Sequence, residues 1–220
     1  MIRKLSLFGN PYIGVYIRAN DNFAIVPMSL DEETLQIVAK TLEVEIIPTL
    51  ISKTTIIGSL LALISLGALV TVFIEDEEFE LLKKKINVEK LKDRHNAAGN
   101  IILISDKGAL VHDDISKKSI NLLEDVFDVE VLKGTIAGIK TVGMCAVLNR
   151  KGIICHPKIN KNEENILSEL FNVPVNIGTA NFGVPFIGAC IVANNKGVLI
   201  GDKSTPVEIT NIQDSLKLYD

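Results

Sequence analysis

Five glycines, Gly14, Gly58, Gly99, Gly143 and Gly188, recur along the chain at intervals of 41 to 45 residues, and the thirty positions after each stay in register without a gap. Nine residues after each glycine comes a turn position (Phe23, Gly67, Gly108, Gly152, Gly197). Thirty after it comes an apolar residue (Val44, Val88, Val129, Val173, Leu218). A repeat of this kind restricts the fold more than any single motif, because a unit this small cannot bury its apolar face alone and must stack on its neighbours.

The third copy shows what one unit is. Gly99 to Ser105 reads as a strand, Asp106-Lys107-Gly108 as a hairpin turn and Ala109 to His112 as the return strand. The turn recurs at Asn149-Arg150-Lys151-Gly152 and Asn194-Asn195-Lys196-Gly197, and more loosely at Asn20-Asp21-Asn22. Gly or Asn is expected there to supply positive φ. Ser116 to Phe127 spaces Ile120, Leu123, Val126 and Phe127 at helical period. Capping boxes are expected at Ser29 with Glu32, Asn160 with Glu163 and Thr205 with Glu208, with Pro206 at the first helical position. A short strand ends the unit at Val44–Ile46, Val129–Val131 and Val173–Val175, so the unit is ββαβ.

The fifth copy lacks its last strand. Ile2 to Gly9 aligns with Val131 to Gly138, so residues 1–9 are expected to supply that strand and close the ring, removing an exposed sheet edge. The expected fold is α/β: one domain over residues 1–220, built of five ββαβ repeats in a closed pseudo-five-fold propeller with helices outside and a central channel. A WD40 propeller has a similar period, but its blades have four strands, no helix and Trp-Asp signatures that this chain lacks.

Composition narrows the function classes. A formal net charge of -4 argues against a protein that grips nucleic acid mainly through phosphates, DNA included. Three cysteines without a CxxC pair point to a reducing, cytoplasmic setting, and the N-terminus does not read as a signal peptide. The 21 uncharged residues from Thr54 to Ile74 reach membrane-span length. Gly58 and Gly67 nevertheless keep the repeat register, so the segment is read as an apolar hairpin turning at Ser65-Leu66-Gly67, with no membrane partner.

A five-fold ββαβ ring is also the scaffold of guanidine-modifying enzymes with a Cys nucleophile, which makes such an enzyme the alternative reading. Cys145, Cys155 and Cys190, however, occupy columns that are mostly apolar in the other repeats, as expected of buried hydrophobes. His112 and His156 share one repeat position and invite the idea of two imidazoles facing each other across the channel. Three or four clustered ligands would be needed for a metal, so hydrogen-bonded strand-end histidines are expected instead. His95, in Lys92-Asp93-Arg94-His95-Asn96, replaces the apolar Ile51, Ile136 and Ala180; it is either functional or part of a polar knot. Glu75-Asp76-Glu77-Glu78 reads as an acidic first helical turn. No phosphate-binding glycine loop is present, and no catalytic residue, cofactor or metal is expected.

Several long stretches carry a resemblance: Leu7 to Pro27 (LFGNPYIGVYIRAND with AIVP), LKDRHNAAGN (Leu91 to Asn100), GALVH (Gly108 to His112), GTIAGIKTVGM (Gly134 to Met144) and GTANFGVPFIGACIVANNKG (Gly178 to Gly197). With these the sequence resembles the archaeal translation initiation factor 6 family over its whole length. The resemblance implies the pentein fold and a non-enzymatic, monomeric factor that binds the large ribosomal subunit, sterically preventing association with the small one. It leaves a role in large-subunit maturation open. It also implies ribosome-facing positions at or just after the repeat glycine: Gly14, Ser59, Asn100, Met144 and Ala189, with Asn10 beside them. Where that family usually has a polar turn, this chain has Leu63-Ile64-Ser65-Leu66-Gly67, which puts contacts from the second repeat in question and suggests an exposed apolar patch.

Overall fold

The computed structural model describes residues 1–219 and is a mixed α/β structure with five separate three-stranded sheets. The chain opens with β1 (Ile2–Leu5). The first repeat runs β2 (Arg18–Ala19), β3 (Phe23–Pro27), α1 (Glu32–Leu42) and β4 (Glu45–Thr49), after a 3-10 turn at Ile13–Val15. The second runs α2 (Ile57–Leu60), β5 (Leu61–Leu63), β6 (Ala68–Thr71), α3 (Asp76–Lys83) and β7 (Val88–Leu91). The third runs α4 (Ala98–Ile101), β8 (Ile102–Ser105), β9 (Gly108–His112), α5 (Lys117–Phe127) and β10 (Glu130–Gly134). The fourth runs α6 (Val142–Cys145), β11 (Ala146–Leu148), β12 (Ile153–Cys155), α7 (Lys161–Phe171) and β13 (Val175–Ile177). The fifth runs α8 (Ile187–Cys190), β14 (Ile191–Ala193), β15 (Val198–Gly201) and α9 (Pro206–Leu216).

Each repeat glycine thus lies in a single helical turn, not at a strand start as expected. The cause is packing between repeats. A β-carbon on any of the five would fall on the carbonyl oxygen of the glycine one repeat earlier, and on Gly14 it would fall on that of Gly188. The turns therefore touch backbone to backbone in one cyclic order.

Within each sheet the first two strands are antiparallel and the third runs parallel to the second. The N-terminal strand takes the third place in the fifth sheet, as expected: β1 lies parallel to β15, with Ile2 opposite Val198 and Leu5 opposite Gly201. This topology puts all the hairpin turns at one end of the sheets and all the connections between repeats at the other.

The core is shared between neighbours. Ile25 of the first repeat packs into the second repeat's cluster, Leu103 and Leu110 of the third into the fourth's, and Val192 and Leu199 of the fifth into the first's. At the hairpin end, hydrogen bonds link the repeats in a circuit. Asn20 Nδ2 donates to Ile64 O at 3.0 Å, and Ser65 Oγ to Asp106 Oδ2 at 3.2 Å. Arg150 Nη2 reaches the same Asp106 oxygen at 3.1 Å, and Arg150 N donates to Asn195 Oδ1 at 2.8 Å. Asn195 N in turn donates to Asp21 Oδ1 at 2.9 Å.

Two local expectations are corrected. The hairpin glycines do not have positive φ. Gly152 and Gly197 lie instead where a β-carbon would strike Ser215 O and Thr41 O, on the helix of the following repeat. The turn itself is formed by asparagine: Asn149 Oδ1 accepts from Lys151 N and Gly152 N, while its Nδ2 donates to Leu216 O. Asn194 does the same, reaching Leu42 O. The second correction concerns α1, whose cap is Asp31, accepting from Thr34 N at 2.8 Å, and not Ser29. A turn closed by Leu30 N on Pro27 O uses up the residues between.

Boxes at Asn160–Glu163 and Thr205–Glu208 form as expected, and a third forms at Glu75–Glu78, where the acidic run opens α3. In the apolar hairpin Leu63 and Ile64 are buried and Leu66 is the one apolar side chain exposed, beside the polar Ser65, so it presents no apolar patch. Among the described residues no helix is long and apolar enough to cross a membrane.

Candidate functional site

The connection end is built from loops held in left-handed backbone. Phe8-Gly9, Ser52-Lys53, Ala137-Gly138 and Asn181-Phe182-Gly183 all have positive φ, and each loop is closed by an isolated bridge such as Ala180 to Val184. Glutamates at the helix N-termini clamp three of these loops. Glu163 accepts from Thr135 Oγ1, Ala137 N and Gly138 N as well as from its own cap, Asn160 N. Glu208 treats Thr179, Phe182 and Gly183 in the same way, and Glu78 accepts from Ser52 N and Lys53 N. In the third repeat the roles swap: the carboxylate is Asp93 in the loop, accepting from Ser116 N and Ser119 Oγ on the helix. Burial alone would raise the pKa of Asp93, Glu163 and Glu208, but the converging donors hold all three below the ordinary range, Glu208 at about 2.

Of the six positions expected to face a partner, Gly14, Ser59, Met144 and Ala189 are buried in the ring of helical turns. Asn100 is half-buried, and its Oδ1 is closed off from solvent without a hydrogen-bond partner. Asn10 is half-buried and locally committed, its Oδ1 accepting from Tyr12 N at 2.9 Å and its Nδ2 donating to Tyr16 Oη at 3.2 Å. What reaches solvent lies a few residues earlier. Phe8 (54%) and Phe182 (83%) stand on the loop tips, and Tyr12 and Phe186 are exposed at the caps of their helical turns. These four aromatics come from the adjoining first and fifth repeats, whose loops are tied by Asn181 Nδ2 donating to Pro11 O at 2.9 Å. Sequence reasoning passed over them, although a signal existed: Phe8 and Phe182 share the position six before the repeat glycine, where the others are Ser52, Asp93 and Ala137.

The three thiols are buried, and burial pushes each of their pKa values up to about 12, the opposite of an activated nucleophile. His112 and His156 are buried strand-end residues, each accepting a backbone N–H at Nδ1, from Asp114 and Lys158 respectively. They do not face each other. His112 stacks on His95 with centroids 4.3 Å apart, and His156 meets Phe186 edge to face. His95 therefore belongs to the polar knot around Asp93. His95, His112 and Asp114 bring potential ligand atoms within 4.8 Å of one another. However, Lys140 lies 2.8 Å from the Asp114 carboxylate and Arg94 3.9 Å from it. Two cations at the carboxylate oppose a third.

Residues 2–215 match the model of the eIF-6 family. The chain belongs to the eIF-6 family. It is 44% identical over 216 residues to translation initiation factor 6 of Methanocella arvoryzae, covering 98% of both chains. It is 43% identical over 222 residues to that of Pyrococcus furiosus, again covering 98% of both. For the Picrophilus torridus protein of the same name the figure is 38% over 220 residues, covering 98% of this chain and all of the relative.

In this eIF-6 family member one further group stands apart. An open channel of about 70 Å³ is lined by β2, β5, β8, β11 and β14, the first strands of all five repeats. The side chains that line it are apolar but for Arg18, which occupies a column filled elsewhere by Ala62, Leu103, Val147 and Val192. At the hairpin end the space widens to a mouth of about 280 Å³, bordered by Asp21, Asp106, Arg150 and Asn195.

Proposed function

We propose that this protein is a cytoplasmic translation initiation factor that binds the large ribosomal subunit as a monomer and keeps the small subunit from docking by occupying the joining surface. A part in large-subunit maturation belongs to the same reading. The observation that carries it is the end-to-end match to relatives named translation initiation factor 6, which covers 98% of the chain and 98% or more of each of three such relatives. The reading includes the architecture: one pentein domain, a closed pseudo-five-fold propeller with helices outside. The cyclic contacts of the helical turns and the circuit of hydrogen bonds at the hairpin end support it.

Steric exclusion asks little chemistry of a protein. It needs a rigid body and an interface above about 1,000 Å² with good complementarity. The connection end suits this role, since its loops are clamped by buried carboxylates and carry Phe8, Tyr12, Phe182 and Phe186 outward, with Asn100 in the ring behind them. Aromatic anchors in a preorganised frame are what interface hot spots are made of. A net charge of -4 suits a partner surface rich in basic ribosomal protein.

The test is sedimentation with cognate subunits on sucrose gradients, using the wild type, Asn100→Arg and Phe182→Asn. Asn tolerates the left-handed backbone at position 182, so that variant removes the aromatic ring with the loop kept. Wild type should travel with the large subunit and suppress joining, and the folded variants should do so less well. Wild type remaining at the top of the gradient would overturn the reading. If wild type binds and both folded variants bind as well as it does, the face is assigned wrongly.

A further inference from the structure

The strand that completes the fifth sheet leaves its own outer edge open. β1 is the outermost strand of that sheet, and Val198 N and Asp202 N donate to Met1 O and Leu5 O. Met1, Arg3 and Leu5 therefore turn their backbone groups toward β15, and by alternation the N–H and C=O of Ile2 and Lys4 point away from the sheet. Among the described residues no hydrogen bond outside the sheet reaches those four groups.

Four other strands hold the same outermost place, and they differ from β1 in charge. Glu45 of β4 and Lys90 of β7 are ion-paired, to Lys85 and Asp76. β10 carries both signs, at Glu130 and Lys133, and β13 carries no charge. β1 carries two exposed cations in succession, Arg3 and Lys4, and among the described residues neither is ion-paired. Charges on an edge ordinarily keep other strands away. Two charges of one sign repel a second copy of the same strand but attract an acidic one.

β1 also runs between two open surface grooves, toward which its successive side chains alternate. Arg3 borders the groove toward α1 with Ile37 and Lys40, where Glu33 is the one carboxylate. Ile2 borders the groove toward α9 with Ile209 and Leu218, and no carboxylate lines it. Lys4 borders both.

We propose that the outer edge of β1 is a docking site for an extended acidic segment of another protein, added as a fourth strand to the fifth sheet. Main-chain hydrogen bonds to Ile2 and Lys4 hold it, and the two grooves read its alternate side chains. A segment alternating acidic and apolar residues fits both. Its carboxylates meet Arg3 and Lys40 on the α1 side, and its apolar residues pack on Ile2, Ile209 and Leu218 on the α9 side. Charge decides the class: the grooves set Arg3, Lys4 and Lys40 against Glu33 alone, on a protein whose formal net charge is -4. Docking here does not require ribosome binding.

The test is fluorescence anisotropy at low ionic strength with three labelled octapeptides. One alternates glutamate and valine, one alternates lysine and valine, and one is the glutamate peptide with proline at its centre. The wild type should bind the first about tenfold or more tighter than the other two, since proline removes a main-chain donor. An Arg3→Glu, Lys4→Glu double variant, altered only at exposed side chains, should lose the preference. Hydrogen exchange at the amides of Ile2 and Lys4 should slow in the wild-type complex. No binding of the glutamate peptide to the wild type overturns the proposal. Equal binding of the proline peptide overturns it as well, because charge attraction is then acting without strand addition. Unslowed exchange at Ile2 and Lys4 in the complex does the same, and both wild-type results stand even if the double variant does not fold.

Discussion

The carbonyl oxygen of Gly188, in the fifth repeat, occupies the space that a β-carbon on Gly14, in the first, would need. The same relation holds between Gly58 and Gly14, Gly99 and Gly58, Gly143 and Gly99, and Gly188 and Gly143. The repeated glycine marks where one repeat's backbone rests on the next. A methyl group there has nowhere to go, because the obstacle is backbone.

Gly58→Ala should therefore destabilise by about 3 kcal/mol or more, at the severe end of overpacking. Gly138→Asn is the contrast. Gly138 has φ +72° with nothing within 4 Å of an added β-carbon, and Asn tolerates that backbone, so a change under about 1 kcal/mol is expected. Urea unfolding of both variants checks the pair; equal losses would show that the glycines serve backbone freedom and not close approach.

Glu208 holds the Phe182–Gly183 loop and its own helix cap with one carboxylate. Glu208→Ala leaves several donors at a mostly buried site unsatisfied and should cost about 2–3 kcal/mol. For a chain of this size that is a fall in Tm on the order of 4–12 °C. Hydrogen exchange should quicken at the amides of Phe182 and Gly183 before it does elsewhere.

Stability should fall in two separate acid windows. The pKa of His112 is lowered first by burial and then by His95, and that of His156 by burial and then by Lys158. With folded pKa values below the ordinary value of about 6.5, the unfolded chain takes up protons first. The stability these residues contribute is therefore present above about pH 6.5 and is lost as pH falls toward their folded values. For Glu163 and Glu208 it is present above the ordinary carboxylate range and is lost on falling toward about pH 2, where Glu208 titrates. Tm measured between pH 5 and 8 should slope in the wild type and flatten in a His112→Asn, His156→Asn double variant, whose amide oxygens replace the Nδ1 acceptors.

Removing residues 1–5 strips β1 from β15, with the bonds from Val198 N to Met1 O and from Asp202 N to Leu5 O. An exposed edge and a loss of several kcal/mol are expected, since each such bond contributes about 0.5–1.5 kcal/mol. Size-exclusion chromatography should show aggregates. A stable monomeric truncation would mean that the fifth sheet does not need its N-terminal strand.

Thiol titration separates the factor from the enzyme reading. Cys145, Cys155 and Cys190 should resist an aromatic disulfide reagent in the native state and react together in guanidinium chloride. One rapidly reacting native thiol would reopen the alternative of a guanidine-modifying enzyme.

The number of repeats, their ββαβ order, the pairing of the N-terminal strand with the fifth sheet, the acidic opening of α3 and the burial of the cysteines are all readable from the residues alone. The acidic opening follows from the helix dipole and the others from periodicity and column comparison, because a unit that stacks on its copies must repeat its apolar positions. Why the glycines recur emerges from the packing of the repeats, since a close backbone approach leaves no mark in a sequence that distinguishes it from a turn. Gly152 and Gly197 were read as positive-φ residues for that reason, when the helix of the following repeat is what excludes a side chain. The same limit applies to exposure. Gly14, Ser59, Met144 and Ala189 follow the register but are buried, because the ring turns them toward one another. Phe8 and Phe182 look like core residues, and they stand in solvent because a left-handed loop tip points them there. Arg18 stands in a column that is apolar in the other repeats, and only the packing of the five first strands shows that it lines the channel between them.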